Sequence, residues 1–138
     1  MAEPKQVIII RNDTEPKMRK GKMIAQGAHA SMKVILDMME TKYVEMIGKN
    51  VCYNSLAFEK DSPLDKWING IFTKVVVQAS LDEMTDCYNK AKEAGIPCSI
   101  IEDRGLTEFG GIITVTACAI GPDEPEKINE ITGHLKLL

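Results

Sequence analysis

The pattern of apolar and polar positions changes its period along the chain, and these changes predict the order of the elements. Four continuous runs rich in β-branched residues are typical of strands buried on both faces, at 6–11, 73–79, 97–102 and 112–120. Helical spacing predicts three helices, at about 21–40, 80–94 and 124–134. Ser80 and Glu83 predict a capping box for the second helix, and Gly121-Pro122 is expected to end the fourth strand.

The first predicted helix carries two patterns at helical spacing. Its apolar positions predict a buried stripe made of Ala25, Ala28, Met32, Ile35, Leu36 and Met39. Its polar positions are expected to share a different face, made of Lys22, Gln26, His29 and Lys33. The sequence therefore predicts a helix that packs on the sheet through its apolar stripe.

The segment from 41 to 72 has the least regular spacing of apolar and polar residues. Residues 43–47 extend the first helix in one interpretation, and residues 51–53 form a short strand or a loop. Ser62 followed by Pro63 predicts the start of a short helix, which Gly70 would end. The leucine-rich residues 135–138 are interpreted as an apolar tail.

Strands alternating with helices predict an α/β fold, a three-layer α/β/α sandwich with the sheet in the middle. The third and fourth strands have no helix between them, and their connection is short for a parallel crossover. A mixed four-stranded sheet is therefore expected. The 138 residues, with no internal repeat, predict a single domain covering 1–138.

Charge is unevenly distributed although the net charge is only −3. Residues 1–33 carry a net charge of +4 and the remainder carries −7. This basic N-terminal part is either a solvated surface or a patch that steers a polyanion to one face. The sequence shows neither a signal peptide nor a run of the roughly 18 apolar residues that a membrane span needs, so a cytoplasmic protein is expected. Four cysteines without a metal-binding spacing are expected to be buried free thiols.

Two short polar segments could carry chemistry. Lys22 stands at the start of a helix, where free N–H groups favour an anion, and Gly21 permits close approach of a ligand. Asp103 follows a strand and begins the segment Asp-Arg-Gly-Leu-Thr. If the strands before the two segments are parallel, both lie at one edge of the sheet.

Each segment also has a structural interpretation. Lys22 could be a solvated lysine, Asp103 could cap an Asx turn, and His29 could be bonded against the sheet. No Walker loop, Gly-x-Ser-x-Gly motif or metal-ligand cluster is present, so nucleotide hydrolysis, a covalent mechanism and a metal site are not expected.

Five motif blocks, taken together, extend over most of the chain. In order they are Lys20-Gly21-Lys22-x-x-Ala25-Gln26-x-x-His29-Ala30, Trp67-x-x-Gly70-x-x-x-Lys74-Val75-Val76-Val77, Asp103-x-Gly105-x-Thr107, Thr116-x-x-x-Ile120-Gly121-Pro122 and Gly133-His134-Leu135-Lys136-Leu137. In these blocks the chain resembles the type 2 peptidyl-tRNA hydrolases, the archaeal and eukaryotic kind.

The resemblance implies hydrolysis of the ester between a peptide, or an N-blocked amino acid, and tRNA, without a metal or another cofactor. It implies a catalytic set of Lys22, Asp103 and Thr107. Substrate-binding residues would be Lys20, Gly21, Gln26, His29, Gly105 and Thr116. The expected partner is peptidyl-tRNA, contacted at its CCA end and acceptor stem. A homodimer is a further expectation, because symmetric pairs are common.

The chain departs from the family pattern after Thr107, where residues 108–112 replace the usual Ala-Pro-Gly type of turn. Two other functions therefore stay open. One is a non-catalytic relative that binds tRNA or protein, and the other is a hydrolase of a different small ester or amide.

Overall fold

The structure, a computed structural model, describes residues 3–106 and 109–138. The elements in chain order are β1 Lys5–Arg11, α1 Lys20–Met38, β2 Glu40–Met46, β3 Lys49–Ser55, α2 Pro63–Ile68, β4 Lys74–Ala79, α3 Leu81–Glu93, β5 Cys98–Asp103, β6 Thr114–Asp123, α4 Pro125–Thr132 and β7 Lys136–Leu137. None of the helices in the described residues has the length and apolar character to cross a bilayer.

The main sheet is mixed, as predicted, with the strand order β5-β6-β1-β4-β7. β1 and β4 are parallel, whereas β6 runs antiparallel to both β1 and β5. The sheet has a fifth strand that the sequence did not predict: β7, in the supposed apolar tail, pairs antiparallel with β4. A two-residue strand is too short to produce a periodic signal.

Strand β6 does not end at Gly121-Pro122, so that prediction is wrong. It continues to Asp123, which lies opposite Lys5 of β1. The pairing with β1 is irregular between Lys5 and Val7, and Pro122 lies next to that irregularity. Proline is tolerated where the ladder is interrupted, since no N–H is needed there.

Helices cover both faces of the sheet, which confirms the three-layer prediction. Val7 and Ile9 of β1 point towards α3 and α4, and Ile8 and Ile10 point towards α1. All four side chains are buried. The Ser80–Glu83 capping box also forms as predicted, because each side chain accepts a hydrogen bond from the other residue's backbone N–H.

The predicted buried face of α1 is wrong. The buried residues are Gln26, Gly27, Ala30, Ser31 and Val34. The predicted stripe instead faces outward at Ala25, Ala28, Met32 and Leu36, with Ile35 and Met39 half-buried.

Hydrogen bonds to the sheet explain why α1 buries a polar face. The Ser31 hydroxyl donates to Gln6 Oε1 at 2.5 Å, and the Ser99 hydroxyl donates to the Ala30 carbonyl at 2.7 Å. Buried polar groups with partners carry little penalty, and the small residues let the helix approach the sheet closely.

The segment after α1 forms a β-hairpin rather than a helical extension. Residues 43–47, assigned to a helix in one interpretation, belong to β2 and its turn, and residues 51–53 lie in β3. Ile47 and Gly48 both have positive φ, at 50° and 70°, as in the two-residue turns that suit hairpins. The helix predicted at Ser62-Pro63 is confirmed, since the Ser62 hydroxyl accepts from the Asp65 N–H at 3.2 Å.

Candidate active site

The carboxyl ends of β1 and β5 lie at one edge of the sheet. Both strands run antiparallel to β6, which lies between them, so they run parallel to each other. β1 ends at Arg11 and leads through a loop into α1, whereas β5 ends at Asp103. The two polar segments of the sequence therefore meet at this edge, as expected for a site in an open α/β sheet.

Lys22 and Asp103 form an ion pair at this edge. Lys22 Nζ donates to Asp103 Oδ1 at 3.0 Å. Their side chains are only 13% and 17% exposed, so the pair is shielded more than an ordinary surface pair. A lysine in the first turn of a helix is unfavourable for the helix dipole, and the Asp103 carboxylate offsets that cost.

The second carboxylate oxygen of Asp103 is also held. The Gly105 N–H donates to Asp103 Oδ2 at 3.0 Å. Partial burial favours the neutral acid, but hydrogen bonds from Lys22 and Gly105 and the nearby charges of Lys22 and His29 outweigh it. The pKa of Asp103 is therefore below its usual 3.8, and the side chain is a carboxylate at neutral pH.

Gly105 is required by the geometry of this turn. Its φ is +75°, and a Cβ at this position would lie 2.3 Å from the Ile112 carbonyl oxygen. The Gly105 carbonyl in turn accepts from the Gly111 N–H at 2.7 Å. The altered segment after Thr107 thus packs directly against the turn that holds Asp103.

A pocket of about 340 Å³ opens beside the ion pair. It is lined by Lys22, Gln26, His29, Ile101, Glu102, Asp103, Arg104 and Leu106. Arg104 and Glu102 were not assigned a role from the sequence, although Arg104 lies inside the Asp103–Thr107 motif. Their position next to Asp103 in the sequence was the signal that could have identified them as pocket residues.

Gln26 connects the pocket to the sheet. The Thr116 hydroxyl donates to Gln26 Oε1, and both side chains are buried. The register of β5 and β6 shifts between Ile101 and Glu102, which leaves Thr116 as an extra residue of β6. Such a bulge redirects a side chain, here towards α1. Gln26 is therefore fixed by the sheet, and it lines the pocket together with Lys22 and His29, two of the three residues predicted to share its face of the helix.

Comparisons with known proteins show the family of the chain. The family model described as peptidyl-tRNA hydrolase PTH2 matches residues 4–138. The chain belongs to the PTH2 family. Proteins named peptidyl-tRNA hydrolase from Methanocaldococcus jannaschii and Sulfolobus acidocaldarius are 42% and 37% identical to it, over 97% of this chain and 99% of each relative. A solved structure of a protein of unknown function from Agrobacterium tumefaciens has a TM-score of 0.57 at 14% identity, covering 100% of this chain and 99% of its own; it supports the fold alone.

The residues of the PTH2 motifs divide into those that meet at the pocket and those that do not. Lys22, Gln26, His29 and Asp103 line it, with Thr116 behind Gln26. Lys20 lies in a separate groove on the other side of α1, and the exposed Gly21 has open space where a side chain would be. Thr107 and Glu108 lie outside the described residues.

Phe109 is a neighbour of Lys22 that sequence reasoning missed. Its ring is 4% exposed and its centroid lies 5.7 Å from Lys22 Nζ. This distance permits a cation–π attraction that adds to the ion pair with Asp103. The residue belongs to the segment that replaces the usual turn of the PTH2 family, so part of that replacement packs against the lysine.

Proposed function

We propose that this chain hydrolyses the ester bond between a peptide, or an N-blocked amino acid, and tRNA, and that Lys22 and Asp103 do the chemistry. Membership of the PTH2 family supports the reaction. The shielded Lys22–Asp103 pair, 3.0 Å apart beside an open pocket, is the observation that supports the residue roles.

Asp103 holds the attacking water in this mechanism. A carboxylate with a lowered pKa is a weak base, so it orients the water and takes up its proton only as the bond to the carbonyl carbon forms. The ester C–O bond then breaks, and Asp103 returns the proton to the leaving ribose oxygen, which restores the carboxylate. Water is consumed, and the peptide acid and free tRNA are the products.

Lys22 stabilises the negative charge that develops in the transition state. Its ammonium has three N–H groups, so it can donate to the carbonyl oxygen or the leaving ribose oxygen while it stays paired with Asp103. Thr107, the third residue of the proposed set, is assigned to the tetrahedral intermediate on its motif position alone.

Release of an N-blocked amino acid from its tRNA tests the reaction. We expect purified protein to liberate it without added metal, measured as loss of acid-precipitable label from N-acetyl-aminoacyl-tRNA. Binding without release would instead indicate a non-catalytic relative. Neither binding nor release would indicate a hydrolase of another ester or amide.

We further propose that the CCA end enters the pocket and that basic residues before α1 and at its first position contact the acceptor stem. The loop from 12 to 19 leaves β1 at the same edge as the pocket, and Lys17, Arg19 and Lys20 are exposed. Phosphate contacts release counterions, so their number appears in the salt dependence of binding. A cytoplasmic location would follow from this substrate.

Neutralising these three residues is expected to weaken tRNA binding and to flatten its salt dependence. Each lost phosphate contact should reduce the slope of log affinity against log salt by about 0.7–0.9. The triple variant Lys17→Gln, Arg19→Gln, Lys20→Gln is compared with a control that neutralises Lys90, Lys92 and Lys127 on α3 and α4. An unchanged slope in the first variant, or an equal change in both variants, would show that the tRNA body does not bind at these three residues.

A further inference from the structure

An apolar groove of about 630 Å³ lies on the side of α1 that faces away from the active-site pocket. Its floor includes Ile8 and Ile10 of β1 and Val76, which lies beside Ile8 in the parallel register of β1 and β4. Its wall includes Ile24 and Ala28, one helical turn apart on α1. The groove is therefore a strip of open sheet beside the helix.

The position of α1 on the sheet explains why this strip is open. The helix packs over β5, β6 and β1, and β4 lies beyond them in the strand order. Val76 is 37% exposed and Ile24 is 73% exposed, although both side chains are apolar. A concave, mainly apolar surface of this volume is typical of a ligand-binding cleft.

The chemistry of the lining selects among the parts of the proposed substrate. Lys20 carries the only charged side chain among the described residues that line the groove. A polyphosphate backbone would gain one ionic contact there and would lose hydration against apolar side chains, so the tRNA fits poorly. The peptide of a peptidyl-tRNA has an uncharged backbone and can carry apolar side chains, so it matches the groove.

The groove begins at the end of α1 that carries the proposed catalytic lysine. Lys20 lines the groove and Lys22 lines the pocket, and both belong to the first turn of the helix. Two residues apart on an α-helix, their Cα atoms are about 5 Å from each other, on opposite sides of the axis. A chain attached at the ester therefore reaches the groove by crossing one helix, about 10 Å wide.

Gly21 lies between these two lysines on the exposed side of the first turn. A Cβ at this position would have no described atom outside its own turn within 4 Å, so packing does not require a glycine. Glycine also weakens a helix, and Gly21 lies within α1. Its missing side chain leaves a low surface over which a peptide can pass from the pocket to the groove. An extended peptide advances about 3.5 Å per residue, so about three residues make this crossing.

We infer that the groove binds apolar residues of the substrate's peptide, beginning about four residues before the ester, and that the peptide crosses α1 over Gly21. This inference rests on the proposed function, because it assigns the second half of the same substrate. It makes the chain selective: peptides with apolar residues at these positions are hydrolysed more efficiently than polar peptides of equal length.

Binding of a free peptide tests the groove without any hydrolysis. The probe is acetyl-Leu-Ala-Leu-Ala-Gly-Gly amide, and its matched control has serine in place of leucine. Methyl-detected NMR of the full chain should show shifts at Ile8, Ile24 and Val76 with the leucine peptide only. No shifts at millimolar peptide, or equal shifts with both peptides, would overturn the inference. Shifts of these methyls with a CCA trinucleotide, or with protein concentration alone, would also overturn it, since RNA or a second copy would then be the occupant.

Hydrolysis of the same two peptides attached to one tRNA tests the consequence, because the tRNA contribution cancels in the ratio. The wild type should prefer the leucine peptide by about tenfold in kcat/KM, the gain expected from partial burial of one such side chain. Ile24→Lys and Ala28→Phe should bring this ratio towards one. Met32→Lys, at an exposed apolar position of α1 that does not line the groove, should keep it.

The outcomes separate the inference from the proposed function. Release of both peptides at equal kcat/KM would refute the groove assignment alone, as would an equal loss of preference in the Met32→Lys control. No release from either substrate would refute the hydrolase and the groove assignment together.

Discussion

Replacing Lys22 by methionine is expected to reduce the turnover of N-blocked aminoacyl-tRNA by about 10²–10³-fold, the typical loss when one transition-state donor is removed. Methionine keeps the unbranched stem of the lysine but removes the ammonium, and with it the cation–π attraction to Phe109, so the change is mainly one of charge. Lys22 is partly buried in the first turn of α1, where its positive charge does not stabilise the helix. The measurement is single-turnover ester release at saturating enzyme.

The same variant should raise the pKa of Asp103, because the burial that favours the neutral acid stays while the ammonium is lost. Carbon-detected NMR titration of the Asp103 carboxyl measures this shift. Lys90→Met is the matched control: it breaks an exposed lysine–aspartate pair of 2.9 Å on α3, far from the pocket, and should leave turnover unchanged. If the Lys22→Met variant had normal turnover although the pKa of Asp103 was raised, Lys22 would have no role in the reaction.

The positions of the four long strands of the main sheet could be predicted from the sequence, because a short continuous run of β-branched residues is typical of a buried strand. β1 is buried on both faces, so every residue from Val7 to Ile10 is apolar. The mixed character of the sheet followed from the short connection between β5 and β6. Strand β7 could not be predicted, because its two residues form a strand only through their pairing with β4 and show no local pattern.

The orientation of α1 could not be predicted, because the apolar pattern and the packing disagree. Gln26 and Ser31 look like surface residues until their partners on the sheet, Thr116 and Gln6, are known. Those partners lie 90 and 25 residues away, and the position of Thr116 depends on a bulge in β6. The apolar stripe that the sequence does show lies mostly on the exposed side of α1.

The sequence was sufficient to predict that Lys22 and Asp103 lie near each other, because two parallel strands that precede them would end at the same edge of the sheet. The direct contact at 3.0 Å between Lys22 Nζ and Asp103 Oδ1 depends on two structural details that no sequence pattern indicates. One is the positive φ of Gly105, which turns its N–H towards Asp103. The other is Phe109, which packs beside Lys22 although it belongs to an unusual turn.

Replacing Asp103 by asparagine is expected to lower turnover by a similar factor, about 10²–10³-fold, at every pH where the wild type is active. Asparagine keeps an oxygen for the Gly105 N–H but cannot take up the proton of the attacking water. Because the pKa of Asp103 lies below 3.8, the wild-type rate should show no acid limb from this residue at mildly acidic pH. Asp86→Asn, which breaks the exposed pair with Lys90, is the matched control for loss of one carboxylate.

Unfolding measured against pH separates this role of Asp103 from a purely structural one. A carboxyl whose pKa is lower in the folded chain stabilises the fold above its unfolded pKa, and the contribution is lost as pH falls through the folded value. The difference in free energy of unfolding between wild type and Asp103→Asn should thus be largest near neutrality and shrink in acid below pH 3.8. An Asp103→Asn variant that loses only this stability and is still fully folded under the assay conditions, but inactive, would locate the defect in the reaction, whereas one that keeps its turnover would exclude Asp103 from it.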